Sequence, residues 1–162
     1  MTLPELQKLL RDYQLTPNKM LGQNFLMNDD VLEQTVTAAA ITSADVVIEI
    51  GPGVATLTRL LCQKAGRVIA VEKDEHFLPL LKKVKKSHPN LEIVMDDILR
   101  VAASDLVSGS EYKVVANIPY YLTGKLIPLF LESVHKPKSL TLLIQKEVGE
   151  NMVATPGSMS LV

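Results

Sequence analysis

The sequence predicts an α/β protein built on a doubly wound, mostly parallel sheet. Short apolar runs typical of buried strands alternate with segments of helical spacing along the 162 residues. Because strand–helix–strand connections are right-handed crossovers, strands that alternate with helices lie parallel in one sheet. Five strands are expected, at residues 46–50, 67–72, 91–96, 112–117 and 139–145.

Helices are expected before and between these strands. Asp29 or Asp30 is predicted to cap the second helix, because both acids precede its first apolar residue. Pro79 and Pro128 are predicted to lie early in their helices, where a missing backbone donor costs least. A short or irregular link is expected at 99–108 and a final helix near Lys146. The remaining helices are expected at residues 4–14, 31–40, 54–65, 74–87 and 123–133.

A nucleotide-binding opening follows the first strand. The strand runs into Gly51-Pro52-Gly53 and then into a helix, and glycines let a ligand approach the backbone near a helix N-terminus. Glu72 ends the second strand about 20 residues on, where a carboxylate takes ribose hydroxyls. Asp97 follows the third strand at the same edge of the sheet. These acids predict an adenosine-bearing cofactor. A dinucleotide fingerprint would have a third glycine at position 56, and the threonine there weakens an NAD interpretation.

The fourth strand ends in the corner Asn117-Ile118-Pro119-Tyr120. Proline fixes its own φ and biases Ile118 toward extended geometry. The amide oxygen of Asn117 and a backbone carbonyl could then accept hydrogen bonds from an amino group while Tyr120 stacks on the ring, as proteins grip an unpaired base. The corner predicts a binding site for a planar base with an exocyclic amine.

Composition narrows the class of protein. A single cysteine, Cys62, excludes a disulfide framework, and no apolar run is long enough for a membrane span. The three histidines show no metal-ligand spacing, so no metal is expected. We therefore expect a cytoplasmic protein.

The formal net charge of the chain is −1, so any affinity for RNA must come from a local group of cations. The run Lys82–Lys86 is expected to be a solvated helix face. Lys19 is a better candidate for a phosphate contact.

Motifs along most of the chain resemble the ribosomal RNA adenine dimethyltransferases, most closely the small-subunit, kasugamycin-sensitivity branch. They are Leu21–Leu26, Glu49–Gly53, Val71-Glu72, Asp97–Leu99, Asn117–Tyr120 and Gln145–Val148. The resemblance implies the Rossmann-like fold of class I methyltransferases and transfer of methyl groups from S-adenosylmethionine to the N6 amine of adenines. It implies ribosomal RNA, in immature small subunits, as the partner, and a monomer.

The resemblance also assigns site residues. The donor is expected to be bound by Asn24, Leu26, Gly51, Glu72, Asp97 and Asn117, with Ile98 against the adenine ring. The catalytic residues are expected to be Asn117, Pro119 and Tyr120. Two positions depart from the family pattern: Ala55 and Asp96 stand where glycines are usual.

The chain is expected to be one domain over residues 1–162. The resemblance implies that it lacks the closing hairpin and the helical domain of the family, which would leave the fifth strand as an apolar sheet edge. Three alternatives stay open. They are a large-subunit methyltransferase of the macrolide-resistance type, a non-catalytic ribosome-assembly or RNA-binding factor, and an NAD-dependent oxidoreductase.

Overall fold

The computed structural model describes residues 1–16, 25–118 and 120–152, apart from the side chains of Tyr120, Tyr121 and Met152. Its centre is a five-stranded sheet in which every pairing is parallel, in the order β3-β2-β1-β4-β5. The predicted doubly wound parallel sheet is confirmed. The strands are β1 Val46–Ile50, β2 Arg67–Glu72, β3 Leu91–Met95, β4 Tyr112–Asn117 and β5 Ser139–Leu143.

Helices precede and connect the strands, as the alternating pattern predicts. A 3₁₀ turn over Glu75–Phe77 leads into the helix after β2, so the predicted single helix at 74–87 consists of two parts. The helices are α1 Leu3–Asp12, α2 Asp29–Ala38, α3 Thr56–Lys64, α4 Leu78–Ser87, α5 Ala103–Val107, α6 Tyr120–Leu131 and α7 Lys146–Met152.

Both faces of the sheet are covered, because successive strand residues point to opposite sides. In β1, Val47 packs in the core cluster that includes residues of α1, α2, α3 and α4, whereas Ile48 and Ile50 pack with α5 and α6 on the other face. Strands that are apolar on both faces are typical of a buried parallel sheet. Cys62 belongs to the first cluster, and its burial raises the pKa of its thiol to about 12.

The cap of α2 differs from the prediction. Asn28, rather than Asp29 or Asp30, is the N-cap, and its Oδ1 accepts the backbone N–H of Val31. The two acids instead occupy the first turn, where they favourably face the positive end of the helix dipole. The helix therefore begins two residues earlier than its apolar periodicity indicates.

The helix after β4 also begins early. It starts at Tyr120, the last residue of the predicted base-binding corner, rather than near residue 123. Pro128 consequently lies inside the helix and not in its first turn, so that prediction is wrong. β5 ends at Leu143, two residues before the predicted boundary, and it is one of the two edge strands of the described sheet.

The strand order creates a crevice at the carboxyl edge of the sheet. β1 pairs with β2 on one side and with β4 on the other, with Ile50 aligned to Val71 and to Ala116. Chain connections leave β1 and β4 in opposite directions across the sheet, which is the arrangement that opens a ligand crevice in α/β proteins. The predicted acidic and amide residues therefore meet there.

Candidate functional site

A cavity of about 850 Å³ lies at the carboxyl ends of the strands. This volume falls within the range of small-molecule and cofactor sites. Five separate chain segments that follow the strands contribute to it, together with Leu26 from the segment before α2. Its polar and charged lining residues are Glu49, Thr56, Glu72, Lys73, Asp96, Asp97, Asn117, Lys125 and Gln145.

The glycine turn after β1 forms the cavity floor. Gly51 and Gly53 have φ values of +67° and +50°, in the left-handed region that glycine adopts without strain. Apart from its two neighbours in the chain, no atom of the described residues lies within 4 Å of the position that a Cβ at Gly51 would take, so a ligand can approach the backbone there. Ala55 has φ +62°, which gives a physical reason for a glycine at the position where the sequence departs from the family.

Glu72, at the end of β2, is buried and fixed by backbone donors. One carboxylate oxygen accepts the N–H of Gly53 at 3.0 Å and the other accepts the N–H of Asp74 at 2.9 Å. Burial raises the pKa of the carboxyl despite these hydrogen bonds. The residue thus ties the glycine turn to the adjacent strand and holds its carboxylate in the cavity wall.

Asp97, after β3, faces the same cavity from the next strand. Its Oδ2 lies 2.8 Å from the Lys73 ammonium, and its Oδ1 accepts the N–H of Leu99. The hydrogen bond from Lys73 lowers the pKa of Asp97. Asp96 accepts the N–H of Asp97 at 2.7 Å, so the acid that replaces the usual glycine stabilises the loop that carries Asp97.

Glu49 is a cavity residue to which the sequence assigned no role. It is 1% exposed, and its Oε2 has no hydrogen-bond partner among the described residues. Burial raises the pKa of Glu49 to about 8, and the nearby Glu72 carboxylate adds to the shift. A carboxyl group inside a buried strand was the available signal, since such groups are rarely enclosed without a partner.

The end of β4 closes the other side of the cavity. Asn117 and Ile118 both line it, and the Ile118 N–H points to the Leu143 carbonyl at 3.4 Å. Asn117 has a further interaction within the structure. Pro119 lies outside the described residues. The backbone of Tyr120 starts α6, but its side chain is outside the described part of the chain.

Some of the remaining residues predicted to bind the donor line the cavity, and others lie outside the described residues. Leu26 lines the cavity, and its carbonyl lies 3.4 Å from the hydroxyl of Thr56. Ile98 is buried and also lines the cavity. Asn24 and Lys19 lie outside the described residues. Of the predicted cofactor residues, the structure brings together Leu26, Gly51, Glu72, Asp97 and Asn117.

Neither a metal-binding cluster nor a membrane-spanning helix is found in the described part of the chain. Its His, Cys, Asp and Glu side chains form no group of three or more able to hold a metal ion. None of its helices combines the length and apolar character needed to cross a bilayer. His135, one of the three histidines, is half-buried with its ring against Tyr112.

Solved structures define the fold class. A dimethyladenosine transferase from Plasmodium falciparum is 30% identical and superposes with a TM-score of 0.71 over 82% of this chain and 47% of its own. A 23S rRNA methyltransferase is 27% identical, with a TM-score of 0.73 over 85% of this chain and 54% of its own. The chain has the Rossmann-like fold of class I methyltransferases.

Sequence comparisons define the family. The model of ribosomal RNA adenine dimethylase matches residues 14–161, and the chain belongs to this family. Ribosomal RNA small subunit methyltransferase A of Alkaliphilus oremlandii is 38% identical over 94% of this chain, and that of Clostridium acetobutylicum is 40% identical over 94%. The chain spans about half the length of these relatives, 54% and 55% respectively. The predicted resemblance is confirmed.

Proposed function

We propose that this chain carries the donor-binding and catalytic part of a ribosomal RNA adenine N6,N6-dimethyltransferase that uses S-adenosylmethionine and acts on small-subunit RNA. The observation that carries the proposal is the single cavity that Gly51, Glu72, Asp97 and Asn117 share. Family membership supports the same activity. The partner would be immature small subunits in the cytoplasm, and the chain would act as a monomer.

The donor half of the cavity fits an adenosyl sulfonium. The Glu72 carboxylate suits two ribose hydroxyls, and the Asp97 carboxylate suits the exocyclic amine of adenine, with Ile98 against the ring. Open space at Gly51 admits the ligand close to the backbone. The enclosed Glu49 carboxyl has an oxygen without a hydrogen-bond partner among the described residues, which leaves a polar group available to the ligand. When bound, the donor supplies a methyl group already activated by the positive sulfur.

The acceptor half would hold and activate the target amine. An aromatic amine is a weak nucleophile because its lone pair is delocalised into the ring. Hydrogen bonds accepted by the Asn117 amide oxygen and the Ile118 carbonyl would favour a tetrahedral nitrogen and localise that lone pair. Pro119 would fix the carbonyl direction, and Tyr120 would stack on the base. Catalysis would then consist mainly of alignment.

Small-subunit RNA is the better supported substrate. The relatives named as small-subunit enzymes reach 38–40% identity, whereas the solved 23S rRNA methyltransferase is 27% identical. A non-catalytic assembly factor would keep the fold without needing an intact acceptor corner. The corner Asn117–Tyr120 is complete in the sequence, which favours an enzyme.

Calorimetric titration tests the donor site. Wild-type protein should bind S-adenosylmethionine and show no measurable binding of NAD. Asp97→Ala should weaken donor binding by about 10- to 100-fold, the range expected for a lost hydrogen bond to a charged group. Asp105→Ala is the matched control, because Asp105 is an exposed acid of α5 that does not line the cavity.

Circular dichroism should confirm that both variants stay folded. Equal donor affinity in Asp97→Ala and Asp105→Ala would contradict the assigned adenine site. Tighter binding of NAD than of S-adenosylmethionine would replace the proposed function with the oxidoreductase alternative.

A further inference from the structure

Charge is distributed unevenly around the cavity. The four carboxyl groups among its described lining residues all come from segments in or after β1, β2 and β3, namely Glu49, Glu72, Asp96 and Asp97. The one lysine on this side that lines the cavity, Lys73, forms an ion pair with Asp97 at 2.8 Å. Because Asp97 is paired with Lys73 and the buried Glu49 has a raised pKa, the excess of negative charge on this side comes from Glu72 and Asp96.

The side formed by β4, α6 and β5 has the opposite character. Among the described residues that line the cavity there, Lys125 is the one charged side chain, and its neighbours in the wall are neutral. They are Asn117, Ile118, Leu122, Leu143, Ile144 and Gln145. A single positive charge thus borders the half of the cavity that contains the base-binding corner.

Lys125 is also available for a ligand. It is exposed on α6 and forms no ion pair with any described residue, whereas Lys113, Lys138 and Lys146 each pair with a nearby carboxylate. It lies on the second turn of α6, five residues after Tyr120, where the base-binding corner ends. Five residues of helix rise about 7.5 Å, which is within reach of a lysine side chain and a nucleotide.

We propose that Lys125 is a positioning residue that binds a backbone phosphate of the acceptor RNA strand, next to the adenine held at the corner. This inference rests on the proposed function. A base that enters the cavity brings its flanking phosphates to the rim, and phosphate contacts fix register without reading sequence. The net negative charge of the far side repels a polyanion, so the strand is directed to the side of Lys125.

The overall charge makes such a contact important. With a formal net charge of −1, the chain offers no general attraction for RNA, so individual cations at the site carry the electrostatic part of binding. A lysine provides a flexible point charge rather than a planar two-point contact. An arginine at this position should therefore support binding to a similar degree.

The test compares Lys125→Met, which keeps the apolar stem, with Lys125→Arg and Lys136→Met. Lys136 is an exposed lysine that does not line the cavity. Each protein is titrated with S-adenosylmethionine by calorimetry and with an adenine-containing single-stranded RNA oligonucleotide at several salt concentrations. Single-turnover methyl transfer to the same oligonucleotide separates the RNA dependence from the limiting rate.

Lys125→Met should bind the oligonucleotide about fivefold more weakly. Its slope of log affinity against log salt should be lower by about 0.7, the value for one phosphate contact on a single strand. The limiting rate and donor affinity should not change, and Lys125→Arg should restore RNA affinity. Lys136→Met should resemble the wild type.

Other outcomes overturn the inference. A salt slope unchanged in Lys125→Met, or reduced equally in Lys136→Met, would show that Lys125 makes no specific phosphate contact. Weaker donor binding in Lys125→Met would place the lysine on the carboxylate of the donor instead. No RNA binding by a wild type that does bind the donor would also overturn it. Failure of the wild type to bind S-adenosylmethionine would instead refute the proposed function itself.

Discussion

Glu49 shows how far the fold controls the chemistry of a single residue. It lies on β1, which pairs with β2 on one side and β4 on the other. Its carboxyl group is beside Thr58 and Arg59 of α3 and near Glu72. The raised pKa of about 8 means that the folded chain keeps a proton that an unfolded chain, with a pKa of 4.5, has released. In this pH interval folding takes up a proton, so the free energy of unfolding falls as the pH rises.

Replacement of Glu49 by glutamine should remove this penalty. Below pH 4.5 the Glu49 carboxyl is protonated in both the folded and the unfolded chain. The difference in the free energy of unfolding between Glu49→Gln and the wild type should therefore not change with pH there. Between pH 4.5 and 8 the variant should gain relative stability, on the order of 2–5 kcal/mol in total. Urea denaturation across this range measures the gain. Glu33→Gln, at an exposed position of α2, should show no such trend, and a flat difference for Glu49→Gln would refute the buried proton.

The acceptor corner makes a second residue-scale prediction. Asn117→Ala should mainly lower the rate of methyl transfer at saturating RNA, because it removes an acceptor for the target amine. Tyr120→Ala should chiefly weaken RNA binding, by about 1–3 kcal/mol for one stacked base, and Tyr120→Phe should be mild. Single-turnover assays with varied RNA separate these effects. If Tyr120→Phe is as damaging as Tyr120→Ala, the hydroxyl carries the function and stacking does not.

Sequence reasoning found the cavity residues that follow strand ends. Gly51, Glu72, Asp97 and Asn117 were predictable because parallel strands bring their carboxyl ends to one edge. The Lys73–Asp97 pair and the protonated state of Glu49 were not, since both depend on which neighbours the sheet register places beside them. The strain at Ala55 was likewise invisible, because a left-handed conformation at alanine leaves no mark in a sequence.

At the scale of elements, two glycines have opposite requirements. A Cβ at Gly66 would collide with the backbone carbonyl oxygen of Ser43, because the start of β2 passes close to the loop before β1. Gly124 lies on the exposed face of α6, and among the described atoms none outside its chain neighbours and the local helix backbone comes within 4 Å of its added Cβ. One position excludes a side chain, and the other leaves a helix with an avoidable entropy cost.

Alanine substitutions should therefore shift stability in opposite directions. Gly66→Ala should destabilise the protein by about 1–3 kcal/mol, as expected for overpacking against backbone. Gly124→Ala should stabilise it by up to about 1 kcal/mol through helix propensity. Chemical denaturation of both variants in parallel measures the two effects. A neutral Gly66→Ala would mean that the loop at Ser43 can move aside at little cost.

Element type was easier to predict than element ends. All five strands and the main helices follow from apolar periodicity, since a buried face needs the matching repeat. The ends depend on caps and turns. Asn28 starts α2 because its side chain accepts the Val31 N–H, and α6 starts at Tyr120 because the corner leads directly into a helix. The periodicity of apolar residues indicates neither the cap of α2 nor the turn that leads into α6.

At the scale of the whole molecule, the sheet order explains why the proposed donor and acceptor sides share one cavity. β1 lies between the strands that carry the donor carboxylates and the strand that carries Asn117. The carboxylates and the amide therefore face each other across the crevice rather than lining separate sites. The negative side and the side bordered by Lys125, proposed above to hold the donor and the acceptor, are consequences of the same topology.

The assembly of the cavity also makes ligand binding a report on folding. Its wall draws on β1, β2, β4 and β5 and on the loop that follows β3, so a chain with one of these strands out of register loses part of the site. A ligand that binds the native chain alone adds about 2.7 kcal/mol of stability at one hundred times its dissociation constant. Binding of the methyl donor should therefore stabilise newly made chains only when they are correctly folded. Such chains should resist proteases better when the donor is present, whereas chains with a strand out of register should gain no protection from it.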